Sequence, residues 1–139
     1  MAIRQISVFV ENKQGALLEA TRALAAAGID LRAVSLADTA EFGILRMITS
    51  DTDRAREALS SMICSVTEVV GVRVPDAPGG LCSLIEHLAG AGINVEYLYG
   101  FVNRAGEDAC AVLRVAQVAQ AEALLEQDGF VLLHERDLP

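Results

Sequence analysis

Two glycine-containing turns are the segments of this sequence best suited to hold a ligand. The tetrads N-K-Q-G at 12–15 and D-A-P-G at 76–79 each follow an alternating apolar segment and precede a helical one. A helix N-terminus exposes unpaired backbone N–H groups and a partial positive charge, and glycine lets a carboxylate or phosphate come close. Asn12 and Asp76 can cap these helices or bind a ligand's amino group. An ordinary helix start without a ligand is the alternative interpretation.

Further candidates lie where second strands are expected. Tyr97, Tyr99 and Phe101 alternate and therefore share one side of a strand, which predicts either the floor of a pocket or a covered sheet interface. Asp38 can pair with an ammonium group, although a solvated carboxylate at a strand end is the commoner case. Arg46 and Arg114 occupy matching strand positions and predict either an anion clamp or two solvent-facing side chains.

No metal, cofactor or catalytic site is predicted. His87 and His134 are far apart, and neither has a cysteine or carboxylate at a ligand-like spacing. The three cysteines, at 64, 82 and 110, form no CxxC pair and fall in apolar segments, which favours small buried side chains in a reducing compartment. The sequence has no GxSxG, HExxH or P-loop motif. A small enzyme of the same topology remains a less favoured alternative.

Two other binding classes conflict with the composition. RNA-recognition modules need aromatic residues on their central strands, whereas the corresponding segments read G-I-L-R-M-I-T and A-C-A-V-L-R-V. A net charge of −8 also repels phosphate backbones and anionic membranes. A metal chaperone would need CxxC in the first loop. We therefore expect no nucleic-acid or membrane partner.

The elements that position these residues come from a duplication. An offset of 64 places I-S-V-F-V at 6–10 on V-G-V-R-V at 70–74, Gly15 on Gly79, and A-G-I-D at 27–30 on A-G-I-N at 91–94. After an insertion of four residues, L-R-M at 45–47 matches L-R-V at 113–115. This ordered series of matches indicates two copies of one unit.

Each copy is predicted to run strand, helix, strand, strand, helix, strand. In the first copy the strands are expected near 3–10, 31–37, 43–49 and 64–69, with a second helix near 52–62. In the second copy the later strands are expected near 95–102, 109–116 and 130–134, with a helix at 118–128. This order predicts an α+β fold of two ferredoxin-like βαββαβ units, at 1–68 and 69–139, with antiparallel sheets and both helices on one face.

Finer features follow from periodicity. Gly28 and Gly92 suit the left-handed position that ends a helix. The first helix is predicted to bury one face: Leu17, Leu18, Thr21, Leu24, Ala25 and Gly28. The second copy is predicted to bury the matching set: Leu81, Cys82, Ile85, Leu88, Ala89 and Gly92. Apolar stretches far shorter than ~20 residues, and no basic leader, predict a cytoplasmic protein.

The turns, together with the A-G-I motifs, resemble the ACT domain. The resemblance covers I-S-V-F-V-E-N-K-Q-G-A-L-L-E-A-T-R-A-L-A-A-A-G-I-D and V-P-D-A-P-G-G-L-C-S-L-I-E-H-L-A-G-A-G-I-N, and nearly the whole chain is similar to stand-alone bacterial tandem ACT proteins. It implies regulatory binding of a small molecule, usually an amino acid, between the turn of one unit and the second strand of its neighbour. The implied ligand-binding residues are Asn12, Gln14, Gly15, Ala16, Leu17, Ser35, Asp38, Asp76, Pro78, Gly79, Gly80, Leu81, Asn94, Tyr97 and Tyr99.

The two turns are not identical with respect to that family. Its turn often has proline before glycine, as Pro78 does here, whereas the first copy has Gln14. This difference is compatible with two alternatives. The chain has either two equivalent sites or one kind of site, shared between a turn of one copy and a strand of the other. We expect a sensor that binds an amino acid, forms a homodimer and acts on a partner protein, with a structural or partner-binding subunit without a ligand as the alternative.

Overall fold

The computed structural model describes residues 2–38, 41–102 and 108–137. Their elements follow the predicted order, with bounds that differ by a few residues from the expected ones. They are β1 (Ile3–Glu11), α1 (Ala16–Ala26), β2 (Leu31–Asp38), β3 (Phe42–Thr49), α2 (Thr52–Ala58), β4 (Cys64–Val74), α3 (Gly80–Gly90), β5 (Tyr97–Val102), β6 (Ala109–Arg114), α4 (Val118–Gln127), β7 (Leu132–Leu133) and a 3-10 turn (Glu135–Asp137). None of the described helices is long and apolar enough to cross a membrane.

The chain divides into two compact units, one of which is Arg4–Thr67. In this N-terminal unit the strands lie in the order β2-β3-β1-β4. Val8 lies opposite Leu45 on β3, and Leu36 of β2 lies opposite the same residue. One face of this antiparallel sheet packs against both helices. The buried cluster they form contains Ile6, Val8, Val10, Leu45 and Met47 from the strands and Ala20, Leu24, Ala55 and Leu59 from the helices.

The C-terminal unit consists of Met1–Ile3 and Glu68–Pro139. Here β4 pairs with β6 and β7, and β6 pairs with β5, all antiparallel. The strand order β5-β6-β4-β7 therefore repeats the order of the N-terminal unit. Its core joins Val70, Val72, Val74, Leu113 and Val115 to Leu84, Leu88, Ala121 and Leu125 of the helices. The predicted pair of ferredoxin-like βαββαβ arrangements, each with two helices on one face, is confirmed.

The boundary between the units falls inside a strand. The sequence predicts a closing strand at 64–69 and a new first strand from about 70, but β4 is one strand of 11 residues. Thr67 and Glu68 stand in its middle, on opposite sides of the division. Residues 64–70, where the two predicted strands adjoin, contain no glycine or proline, so nothing interrupts the extended backbone. The assignment of 1–68 and 69–139 as two ACT units stays a prediction.

The buried faces of α1 and α3 differ from those expected. Ala20 and Leu24 are the buried residues of α1, whereas Leu17 is 39% exposed and Leu18 52%. In α3 the buried side chains are Leu84 and Leu88, which are offset by 64 from Ala20 and Leu24. The prediction is confirmed for Leu24 and Leu88 and wrong for Leu17, Leu18, Leu81 and Cys82, because two stripes with helical spacing overlap at Leu24 and Leu88 and the sheet lies against the other one.

The second helix of the N-terminal unit has a side-chain cap at its start. Asp51 is the N-cap of α2, and its carboxylate accepts a hydrogen bond from the Arg54 amide at 3.1 Å. The helix ends at Ala58, four residues earlier than expected, because residues 59–61 turn toward β4. The guanidinium of Arg54 donates to the Ala27 carbonyl and so joins the start of α2 to the end of α1.

Candidate functional site

Both predicted turns end in a left-handed glycine that caps a helix. Gly15 and Gly79 are the N-cap residues of α1 and α3, each with φ of 88°. An L-residue is strained in this region by about 1–2 kcal/mol, which explains glycine at both positions. Because the N-cap is glycine, it has no side chain to bond the first helical amides. Asn12 and Asp76 therefore do not occupy the capping position.

The first turn of α1 has amides without an acceptor inside the helix. Ala16 donates to the Lys13 carbonyl at 3.3 Å, and Glu19 donates to the Gly15 carbonyl at 3.0 Å. The amides of residues 17–18, between these two, have no acceptor within the helix. They carry the partial positive charge of the helix N-terminus, which attracts a carboxylate.

The first turn of α3 has the same pattern but a tighter backbone. Gly80 donates to the Ala77 carbonyl at 3.0 Å and Ser83 to the Gly79 carbonyl at 2.9 Å, which leaves the amides of 81–82 without an intrahelical acceptor. A Cβ added to Gly80 would lie 2.1 Å from the Pro75 carbonyl oxygen. The first copy has Ala16 at this position, so the two turns differ in geometry as well as in sequence.

A cavity lies beside the turn of the N-terminal unit. It measures about 210 Å³, and its lining includes both apolar and charged side chains. Its walls come from β1, the turn, α1 and the segment that connects α2 to β4. The lining residues are Phe9, Val10, Glu11, Lys13, Ala16, Glu19, Ser61 and Met62.

Three charged groups line this cavity. The Lys13 ammonium lies 2.9 Å from a carboxylate oxygen of Glu11, and both side chains are largely exposed. The hydrogen bond to Glu11 raises the pKa of Lys13 above its usual range, with a further contribution from the negative charge of Glu19. Glu19 itself makes no ion pair within the part of the chain that the structure describes. The lining thus carries one cation and two anions.

A second, larger groove of about 480 Å³ adjoins the same connecting segment. Met62 lines both this groove and the smaller cavity. The other residues along the groove are Asp53, Arg56, Glu57, Ser60 and Cys64. Asp53 pairs with Arg4 at 2.8 Å, and this hydrogen bond lowers the pKa of the Asp53 carboxyl group. The Asp53 carboxylate is therefore engaged in an ion pair within the protein.

Of the predicted ligand-binding residues in the N-terminal unit, only Ala16 lines the cavity. Asn12, Gln14, Gly15 and Leu17 are exposed around the turn. On β2, Ser35 lies opposite Arg46 and is half-buried, and Asp38 is exposed at the strand end opposite Gly43.

Within the C-terminal unit, the turn residues Asp76, Pro78, Gly79 and Leu81 are exposed, whereas Gly80 is buried against the chain before it. Asn94 is exposed. On β5, Tyr97 lies opposite Arg114 and Tyr99 opposite Val112, and both tyrosines are half-buried. The side chain of Phe101, also considered in the sequence, lies outside the described part.

Some functional candidates were missed by sequence reasoning. Glu11, Glu19 and Met62 line the cavity but were not among the predicted ligand-binding residues, and neither was Lys13, although the turn tetrad at 12–15 contains it. The wall formed by Ser61 and Met62 is about 45 residues from the turn along the chain. No local sequence signal marks it, because the topology of the unit brings it there.

The remaining candidates have structural roles. Arg114 donates to the Glu68 carbonyl at 2.9 Å, so its guanidinium is engaged with backbone rather than with an anion. Cys110 is buried and Cys64 half-buried, but Cys82 is exposed on α3, which corrects the expectation of a buried thiol. Glu86 accepts from the Cys82 thiol at 3.5 Å and raises its pKa. Among the described residues, no group of three or more His, Cys, Asp or Glu side chains could hold a metal ion.

Two βαββαβ units, each with a glycine turn before its first helix, define the class of ACT-domain folds. A sequence model of the family described as an ACT domain pair matches residues 1–139, so the chain belongs to that family. It is similar to a protein of known crystal structure from Bacteroides thetaiotaomicron, with 37% identity, a TM-score of 0.92 and coverage of 99% of this chain and 95% of that one.

More distant structures share the fold. The regulatory subunit of aspartate kinase from Thermus thermophilus, in its ligand-free form, is 14% identical with a TM-score of 0.65, over 91% of this chain and 92% of that one. The corresponding subunit from Thermus flavus is 17% identical with a TM-score of 0.64, over 89% and 90%. No curated protein sequence matches the chain significantly.

Proposed function

We propose that this protein is a regulatory sensor that binds a free amino acid at the turn between β1 and α1. Membership of the ACT domain pair family and the fold shared with aspartate kinase regulatory subunits support a regulatory role. The observation that carries the proposal is the cavity of about 210 Å³ beside this turn, whose lining combines charged groups of both signs with apolar side chains. In this proposal residues 1–68 and 69–139 are the two ACT units.

The groups around the cavity match the two charged ends of an amino acid. The Lys13 ammonium and the helix N-terminus of α1 attract a carboxylate. The carboxylates of Glu11 and Glu19 attract an ammonium group, and Phe9 and Met62 offer apolar surface to a side chain. The volume is below the ~300–1,000 Å³ of pockets for larger ligands, which suits a single small metabolite.

The turn of the second copy lacks the charged residues that line the cavity of the first. At the offset of 64, Lys13 corresponds to Ala77, Glu11 to Pro75, and Glu19 to Ser83. The three charged groups of the cavity are therefore absent from the matching positions. The predicted ligand contacts of Asp76, Pro78, Gly79, Gly80, Leu81, Asn94, Tyr97 and Tyr99 remain part of the proposal as a second, non-equivalent site.

A thermal-shift screen of the twenty amino acids tests the proposal. A ligand that binds only the folded state at 100 times its Kd stabilises the protein by about 2.7 kcal/mol. Lys13→Gln should weaken the response several-fold by removing the cation that faces the carboxylate. Arg22→Gln is the matched control, because Arg22 is an exposed cation of α1 outside the cavity lining.

Two results would count against the sensor. If no amino acid changes the melting temperature at millimolar concentration, the structural or partner-binding alternative is favoured. If a ligand binds equally well to the Lys13→Gln variant, its site is elsewhere. The proposal also includes a homodimer and a protein partner that responds to the ligand. Light scattering measures the oligomeric state, and a pull-down tests for the partner, each with and without the identified amino acid.

A further inference from the structure

We infer that the preferred ligand of the N-terminal unit is an amino acid with a second, cationic group on its side chain. This inference rests on the proposed function and concerns which class of amino acid the cavity selects. Its basis is the charge of the lining. Glu11, Lys13 and Glu19 together carry a net charge of −1, from two carboxylates and one ammonium group.

The charge of the ligand decides how completely this lining is neutralised. Lys13 already pairs with Glu11 at 2.9 Å, and Glu19 makes no ion pair with another described residue. A zwitterionic amino acid without a charged side chain leaves the combined site at −1. A basic amino acid, with a net charge of +1, brings it to zero, and an acidic one brings it to −2. Unpaired like charges at close range weaken binding, so the order of preference is basic, neutral, acidic.

The composition of the lining agrees with a ligand that has a flexible apolar stem between two charged ends. Phe9, Val10 and Met62 contribute apolar surface to the lining, and Glu11 and Glu19 contribute carboxylates. The volume of the cavity is about 210 Å³. A straight-chain diamino acid fills such a space with its methylene groups and keeps both ammonium groups near carboxylates.

The test compares ligands that differ by one group. L-Lysine and L-norleucine share the same carbon chain, and only lysine has the terminal ammonium group. In isothermal titration calorimetry at low ionic strength, we expect lysine to bind at least about five-fold more tightly, the ratio that corresponds to ~1 kcal/mol for one charge pair at close range. L-Glutamate should bind most weakly. Raising the salt concentration should reduce the difference, since screening weakens exposed charge pairs.

A matched pair of variants assigns the effect to the cavity. Glu19→Gln removes the carboxylate without changing the size of the side chain, and should bring the affinities of lysine and norleucine together by lowering that of lysine. Asp30→Asn removes a carboxylate beyond the other end of α1, outside the cavity lining, and should leave the preference intact. Circular dichroism of both variants confirms that they fold.

The outcomes separate this inference from the function on which it rests. If norleucine binds as tightly as lysine, or the preference for lysine survives Glu19→Gln, the inference about ligand class is wrong while the amino-acid sensor stands. If neither ligand, nor any other amino acid, binds in a manner sensitive to Lys13→Gln, the proposed function fails as well. A lysine preference that is lost only in Glu19→Gln supports both.

Discussion

Replacing Gly80 by alanine tests the tight turn before α3. A Cβ at this position would lie 2.1 Å from the Pro75 carbonyl oxygen, and real Cβ atoms essentially never come within 3.0 Å of such an atom. The carbonyl would have to move by about 0.9 Å, the difference between these two distances. Overpacking of this kind costs about 1–3 kcal/mol of the free energy of unfolding, and here the obstacle is backbone that cannot rotate away.

Gly90→Ala provides the control on the same helix. Gly90 is the exposed last residue of α3, and an added Cβ meets nothing within 4 Å. Because alanine has the higher helix propensity and a smaller entropy in the unfolded chain, this variant should be more stable by about 0.5–1 kcal/mol. The two substitutions are chemically identical, yet they are expected to change stability in opposite directions.

Urea unfolding followed by circular dichroism measures both effects. With a slope of about 2 kcal/mol/M, the midpoints of Gly80→Ala and Gly90→Ala should differ by roughly 1–2 M. Equal midpoints, or a Gly80→Ala variant as stable as the parent protein, would show that the Pro75 carbonyl is not held against the helix as described.

Three further predictions concern the helices. In the same urea experiment, Leu84→Ala should lower the free energy of unfolding by about 2–5 kcal/mol, and Leu81→Ala by no more than about 0.5 kcal/mol. Similar losses for the two variants would show that Leu81 belongs to the buried face of α3, as the sequence predicted. Asp51→Ala should cost about 1 kcal/mol by removing the cap of α2, and Asp51→Ser should recover most of it. Cys82 should react faster with iodoacetamide at pH 8 in Glu86→Gln than in the parent, because Glu86 raises the pKa of this thiol and reduces the thiolate fraction. An unchanged alkylation rate would contradict that assignment.

The order of elements could be predicted from sequence because the duplication supplies two independent views of one pattern. Gly28 and Gly92 were expected in the left-handed conformation, and they have φ of 71° and 75°. Alternation in β1 identified Ile6, Val8 and Val10 as the face that packs on the helices, and all three are buried. The periodicity of a strand and the conformation of a glycine depend mainly on nearby residues, so they can be predicted without knowledge of the tertiary contacts.

The buried helical faces could not be predicted with the same rule. In the structure, Ala20 of α1 is fully buried, whereas the larger side chains of Leu17 and Leu18 are exposed. Hydrophobicity alone favours the leucines, and only the position of the sheet decides between two overlapping stripes. Comparison of the copies contains the missing information, since Ala20 corresponds to Leu84, which is also fully buried.

The candidate site was predictable only in part. The turn at 12–15 was identified from its residue types, and the cavity lies beside it. The opposite wall, from Ser61 and Met62, depends on how the end of α2 is brought against β1, where Phe9 donates to the Ile63 carbonyl at 3.0 Å. Contacts between residues so far apart in the chain are set by topology, and a single sequence does not reveal them.

The position of the unit boundary within β4 limits how this protein can be dissected. Ala2 packs against the core of the C-terminal unit, and the Ile3 side chain reaches Gly71, although both residues stand at the start of the chain. A fragment that begins at residue 69 would therefore lack part of its own core. A cut between Thr67 and Glu68 would divide β4 and leave part of the strand on each fragment. The C-terminal unit therefore includes three residues from the start of the chain, whereas the N-terminal unit is the continuous segment Arg4–Thr67. A C-terminal fragment without those three residues is expected to be less stable than the same unit in the whole protein.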